Sequence, residues 1–402
     1  MNKPLKIGLI MVGGRGWIGG SEYIKNIILA LSSLPNEVKQ TFEICLLYSK
    51  SSIDPDIYEQ LEPCLSSSYN LDVELQPRHI FNRVIWKFRE FFLKETNPRM
   101  LSFLKKSSGI NFVYPYEMSV NGETPNLRGC CWISDFQHKY LPHFFAKSEI
   151  TSRDKVFEKI AKKNSRIVLS SKSASMDFQK FYPNSKVKIE VLHFTTSLPK
   201  SYYEEDAVKT LNKYNLSDRF FLISNQFWQH KNHLVVLEAL KILQDSYIYP
   251  MVVCTGHTYD DRNPYYIDSI LQIIATYGLA NQIHLLGLIP RIDQIQLMRC
   301  SLAVIQPSLF EGWSTVVEDA RCLGKRMILS DLPVHLEQNP LGSIFFERNS
   351  QQQLANLIGE WWGKLPSGFN LEVEISAKEK NKKDVQKFGY RFLEIARSGS
   401  QI

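Results

Sequence analysis

Short apolar runs of strand length alternate with longer segments of helical period from one end of this chain to the other. In the first half the runs are KIGLIMV (6–12), FEICLLY (42–48), NFVYPY (111–116), CCWIS (130–134), RIVLSS (166–171) and VKIEVLHF (187–194). In the second half they are FFLIS (220–224), YPMVVCTG (249–256), QIHLLG (282–287), LAVIQ (302–306), RMILS (326–330) and SIFFE (343–347). Continuous apolar strands separated by helix-length segments predict parallel sheets covered on both faces by helices. The polar stretch 195–219 lacks strand character, carries a short helix at about 202–214, and separates two sets of six strands. The pattern predicts an α/β protein of two doubly wound, parallel-sheet, Rossmann-like domains: 1–195, a linker at 196–218, and 219–383. At 402 residues, 44% hydrophobic and 12% aromatic, the chain is too long for one compact core and has material for two.

The most telling stretch is 306–337, QPSLFEGWSTVVEDARCLGKRMILSDLPVHLE. A strand runs into a loop with Glu311, Gly312 and Trp313, and a helix opens at about Ser314 with Glu318 and Asp319 inside it. Free amides and the dipole of a helix start attract a phosphate, while a carboxylate accepts strong hydrogen bonds from sugar hydroxyls. The segment resembles the donor-binding signature of retaining glycosyltransferases of the large family 4, P-S-x-x-E-G-[FW]-G-x-x-x-x-E-A-x-x-x-G. Pro307, Ser308, Glu311, Gly312, Ala320 and Gly324 fall into register, with Asp319 on the second acid and Ser314 in place of a glycine. The resemblance implies a GT-B architecture, two such domains facing across a cleft, with the final helix, 384–400, packing back on the first domain. It implies that Glu311 touches the transferred sugar and that the second acid holds the ribose. Either Glu318 or Asp319 can take that second role, since neighbouring helix positions point about 100° apart.

Other stretches extend the comparison. The loop after the first strand, Gly13 to Gly20, contains a literal G-x-G-x-x-G. A nicotinamide site would need an acid at the end of the second strand, which ends Tyr48-Ser49-Lys50. The glycines otherwise serve a tight turn, or, by resemblance, Gly19 and Gly20 face the donor diphosphate ahead of Tyr23 and Asn26. In NQFWQHKNH (225–233), Lys231 matches a lysine that neutralises the departing diphosphate, whereas Gln226 stands where the family has an arginine. Donor contacts are also expected from the backbone of Gly287 and of Gly312, Trp313, Ser314 and Thr315. Asp135 matches the aspartate of a His-Asp pair near the acceptor, with His138 three residues on as the replacement histidine. Glu337 falls on a further acidic position of the family's pattern. The expected catalytic set is therefore Glu311, Lys231, His138 and Asp135.

The net charge of +7 suits anionic small substrates or a lipid surface, and no recognition-helix, stacking-sheet or zinc spacing points to nucleic acid. The seven cysteines include no C-x-x-C and mostly sit in apolar runs, as reduced core residues of a cytoplasmic protein would. The run in MNKPLKIGLIMVGG reads as a first strand, not a signal sequence. No metal or other cofactor is expected, since Asp54-Pro55-Asp56 lies in a turn. Residues 78–106 are basic and carry Ile80, Val84, Phe88 and Phe91 on one helical face beside Arg83, Lys87 and Lys94, which fits either a membrane-surface helix or a helix packed on the core. Together these features point to transfer of a sugar from a nucleotide-diphosphate donor to a hydroxyl of a glycan or lipid-linked acceptor, in polysaccharide, lipopolysaccharide or other glycoconjugate synthesis. The alternatives are a nucleotide-sugar epimerase on the same frame and a catalytically weak donor-binding subunit.

Overall fold

The computed structural model describes residues 3–14, 17–75, 100, 102–104, 108–116, 127–163 and 166–398. The first half builds a parallel sheet in the order β3-β2-β1-β4-β5, from Leu5–Ile10 (β1), Phe42–Tyr48 (β2), Ser67–Asn70 (β3), Phe112–Tyr114 (β4) and Arg128–Gly129 (β5). A second group, β6-β7-β8, comprises Cys131–Ile133, Arg166–Leu169 and Lys188–Val191. Only Cys130 separates β5 from β6, and its amide still donates to Val113 O at 3.2 Å. One run of chain therefore pairs with β4 through its start and with β7 through its end. The six runs read from the sequence all become strands. The additional strands are the two-residue β5, just ahead of the CCWIS run, and β3, SSYN, a polar edge strand with no apolar run to reveal it.

The second half forms one six-stranded parallel sheet in the order β11-β10-β9-β12-β13-β14. Its strands are Phe221–Ser224 (β9), Val252–Thr255 (β10), Ile283–Gly287 (β11), Val304–Gln306 (β12), Met327–Ser330 (β13) and Ser343–Phe346 (β14). In both halves the strand order reverses beside the first strand, and the crevice at that switch point is where open α/β sheets take their ligands.

The linker helix read as one piece is two, Lys200–Glu204 and Ala207–Lys213, because Asp206 caps the second by accepting from Val208 N. The last helix is longer than its apolar stripe suggested, Leu371–Ser398, and its second part lies on the first half of the chain. Phe388, Phe392, Leu393 and Ile395 join Ile24, Ile27, Ile28 and Leu31 of the helix Ile18–Ser32 in one core, while Tyr390 stays 41% exposed. Gly389 permits that contact: a Cβ there would lie 2.5 Å from Ala30 O. Residues 78–99, 101, 105 and 106 of the basic segment lie outside the described residues. Among the described residues no helix is long and apolar enough to cross a membrane, and no group of three or more metal-ligating side chains gathers.

Candidate active site

The loops that leave β9 and β12, neighbours in the sheet, carry the residues on which the sequence comparison rested. After β9 the chain makes a tight turn, Gln229–Lys231, before the helix His233–Asp245. That turn delivers Lys231 Nζ to Glu311 Oε1 at 2.6 Å. Ser308 Oγ and Gln306 Nε2 donate to the same oxygen at 2.7 and 2.9 Å. Gln306 is fixed in turn by exchange of two hydrogen bonds with Asn225, at 3.0 and 3.1 Å. Burial alone would raise the Glu311 carboxyl, but the Lys231 ammonium and these donors outweigh it and hold the group below its ordinary value. Glu311 is thus an ionised, buried carboxylate. Three donors converge on Oε1, and none of the described residues hydrogen-bonds Oε2. His335 lies behind this network, its Nδ1 on Ser330 O at 3.0 Å, and burial pushes it down to about 4.

Gly312 lies tightly against the first half. A Cβ there would meet Ser134 O at 2.4 Å and the Asp135 Cβ at 3.0 Å. This brings Asp135, at the end of β6, against the Glu-Gly-Trp loop. Asp135 accepts from Ser134 Oγ and from Gln137 N, both at 2.9 Å. Trp313 turns its indole onto the first half, stacking on His193 at 4.5 Å and donating from Nε1 to Phe194 O at 3.0 Å. His138 is placed differently: its ring is buried among Phe145 and Phe157, and its Nε2 donates to Asp154 Oδ1 at 3.0 Å. These contacts belong to its own half and build a packed histidine. Glu337 caps the helix Lys172–Phe181 of the first half, accepting from the Lys172 and Ser173 amides, and bonds His193 at 2.6 Å.

The motif helix is Thr315–Cys322, capped by the Ser314 hydroxyl. The Ser314 amide is taken by Gln338 Oε1 at 3.3 Å. Among the described residues no acceptor takes the Thr315 and Val316 amides, so two donors of the helix start are free. Glu318 and Asp319 diverge from there. Glu318 turns to Gln338 Nε2 at 2.9 Å and its second oxygen is buried without a partner. Asp319 turns to Arg291, with Oδ1 2.6 Å from the guanidinium. Burial raises both carboxyls, against the pull of Arg321 on Glu318 and of Arg291 on Asp319. Arg291 begins the helix Arg291–Cys300 just after Gly287, the last residue of β11, whose φ is +66°. Glu22 and Lys25 of the helix Ile18–Ser32 form a 2.6 Å pair and act electrostatically on the same group.

Gly19 and Gly20 lie in the first turn of that helix, under Trp17, which stacks on Trp132 at 5.7 Å. Gly16 lies outside the described residues. Tyr23 and Asn26 are structural here: Tyr23 bonds the Tyr114 hydroxyl at 2.6 Å and Asn26 Oδ1 accepts from Ser197 N at 2.8 Å. Gln226 is partly buried, and its side chain makes no hydrogen bond among the described residues. Sequence reasoning missed Asn225, Gln306, Arg291 and Arg262. The signal for the first two was available, since each is a lone amide at the end of an otherwise apolar strand.

Residues 206–364, which hold the whole second sheet, match the family model described as Glycosyl transferases group 1. No curated protein matches the chain. Among solved structures, it is similar to Anabaena Alr3699/HepE in complex with UDP-glucose, with a TM-score of 0.65 and 15% identity over 98% of this chain and 100% of that one. It is also similar to sucrose-phosphate synthase from Thermosynechococcus elongatus, with a TM-score of 0.65 and 13% identity over 98% of each chain. A glycosyltransferase from Rickettsia africae gives 0.64 and 15%, again over 98% of each. The fold is accordingly GT-B, two Rossmann-like domains of parallel sheet facing each other across a cleft.

Proposed function

We propose that this protein is a retaining, metal-independent glycosyltransferase that moves a sugar from a nucleotide-diphosphate donor to an acceptor hydroxyl. The observation that carries the reading is the Glu311 carboxylate, ionised by Lys231, with one oxygen saturated by three donors and the other left to accept from a ligand. An acceptor of that kind beside free amides at a helix start suits a hydroxylated ring joined to a phosphate. Lys231 and the Thr315 and Val316 amides then stabilise charge on the departing diphosphate, the term that usually contributes most to catalysis. Asp319 is the acid we assign to the ribose. It faces Arg291 at the end of β11 and the glycine-bearing helix of the other domain, whereas Glu318 faces away toward Gln338. Asp135, against Gly312, lies on the acceptor side.

The HepE structure contains UDP-glucose, which supports a nucleotide sugar as the donor class for this chain. The basic, aromatic composition of 78–106 supports a lipid-linked acceptor met at an anionic membrane face on the cytoplasmic side, within glycoconjugate synthesis. The test is incubation with a panel of nucleotide sugars, with and without a mixed pool of oligosaccharide and lipid-linked acceptors, followed by mass spectrometry. A mass gain of one sugar on an acceptor, with the donor's anomeric configuration kept by NMR and activity kept in excess chelator, supports every part of the reading. Conversion of donor without any acceptor would instead identify an epimerase.

A further inference from the structure

Lys231 and Arg291 each meet a carboxylate at 2.6 Å. Arg262 does not. It reaches Asp260 only through Nε at 3.4 Å, and that carboxylate already accepts from the Arg262 amide at 3.0 Å and the Gln229 amide at 3.4 Å. Its other N–H groups touch neutral acceptors, Gln137 Oε1 at 3.4 Å and His230 Nδ1 at 3.5 Å. Burial, reinforced by Lys231 and Arg262, pushes His230 well below its ordinary value, so that ring is an uncharged acceptor. Such contacts are long beside the ~2.7–2.9 Å of a well-made charged hydrogen bond. The guanidinium plane is nonetheless held firmly, between Phe145 of the first domain at 5.1 Å and Trp228 of the second at 5.2 Å. Aromatic faces fix the orientation of a guanidinium without using its donors.

Position strengthens the point. The segment 257–263 runs beside the loop that holds Gln226 and Lys231. Phe227 N donates to His257 O at 2.9 Å, and Asn263 Nδ2 to Gln229 Oε1 at 3.1 Å. The segment that carries Arg262 is therefore hydrogen-bonded to the loop that carries Lys231, and His230, next to Lys231 in sequence, contacts Arg262 itself.

We propose that Arg262 is a phosphate-binding residue that works with Lys231. On binding, it exchanges its long contacts to Gln137 and His230 for oxygens of the donor diphosphate, and it supplies there the positive charge that the Gln226 amide lacks. This rests on the nucleotide-sugar reading above. In the transfer the anomeric C–O bond breaks with its electron pair left on the diphosphate. The acceptor oxygen forms the new bond, and its proton leaves with the diphosphate. A fork of fixed donors beside Lys231 neutralises the charge that develops.

A phosphorylated acceptor would present the same chemistry, so the experiment has two arms. UDP, GDP, ADP, CDP and dTDP are titrated calorimetrically into the wild type, Arg262→Gln and Arg262→Lys. Inorganic phosphate is then titrated into each protein saturated with its best nucleoside diphosphate. The expected result is a loss of about ten- to a hundred-fold in nucleoside diphosphate affinity for Arg262→Gln, the scale of one charged hydrogen bond, with Arg262→Lys between. Gln137→Ala, which removes only a place-holding acceptor, should leave that affinity unchanged or raise it. A loss confined to the phosphate titration would overturn the assignment to the donor and move Arg262 to the acceptor side. Unchanged binding in both arms, with melting lowered, would overturn the proposal and make Arg262 a structural tie between domains. If the wild type binds no nucleoside diphosphate, it is the donor reading itself that fails.

Discussion

Lys231 and Glu311 are each other's counter-charge in the free protein, with side chains 14% and 9% exposed, so neither can be removed silently. Lys231→Ala should lower turnover by about a hundred-fold or more, as loss of a positioned transition-state donor does, and activity within a few-fold of wild type would sink the assignment. It should also lower the melting temperature, because a buried carboxylate is left unpaired. The two neighbouring acids should separate cleanly. Asp319→Ala is expected to raise the Michaelis constant for donor about ten- to a hundred-fold. Glu318→Ala is expected to act mainly on stability, by releasing Gln338 and Arg321. A donor effect that follows Glu318 instead would reverse the assignment. Buried histidines set the acid limit: burial lowers His233 to about 3 and His335 to about 4, from an ordinary 6.5. Below pH 6.5 the unfolded chain takes up protons that the folded one refuses, so stability falls as pH drops toward those values. The slope approaches about 1.4 kcal/mol per pH unit for each histidine. Melting scans from pH 7.5 to 4.5 should show this fall, and replacing His335 with Gln should flatten it.

At the level of elements, the last helix makes the sharpest test. Alanine is the better helix former by about 1 kcal/mol, but at Gly389 its Cβ would sit 2.5 Å from Ala30 O, a backbone atom that cannot swing away. Overpacking of that kind costs about 1–3 kcal/mol, so Gly389→Ala should lower the melting temperature; a rise would mean that the helix does not pack there. How legible each element was follows from what made it. Strands such as FLIS (221–224) were readable because a strand buried on both faces is apolar nearly throughout. The edge strand SSYN was not, because an edge strand is half-solvated and tolerates polar residues. The helix start at about Ser314 was legible in the sequence, whereas the pairing of Lys231 with Glu311 was not, because the two residues lie 80 positions apart and meet only through the sheet. Nor was the placement of His138, because spacing along a chain cannot tell a strand-end histidine facing the cleft from one turned into its own core. Arg291 and Arg262 were hidden for a related reason: each meets its partners only across loops far apart in sequence.

On the scale of the whole molecule, the domains are tied at several points around the cleft. These include Gly312 on Ser134, Trp313 on Phe194, Glu337 on the Lys172 and Ser173 amides, and Arg262 on Gln137 and Phe145. Each tie puts a residue of the second domain, two of them in the Glu-Gly-Trp loop, onto the first domain. We propose that this junction is a nucleotide-sugar site whose charge is set by Lys231 and Glu311. Its most direct test is calorimetric titration of a panel of nucleotide-diphosphate sugars into the wild type and Lys231→Ala. One nucleotide class should bind the wild type saturably, and the substitution should weaken that binding at least about ten-fold. Absence of binding across the panel, or equal affinity in the two proteins, would contradict it.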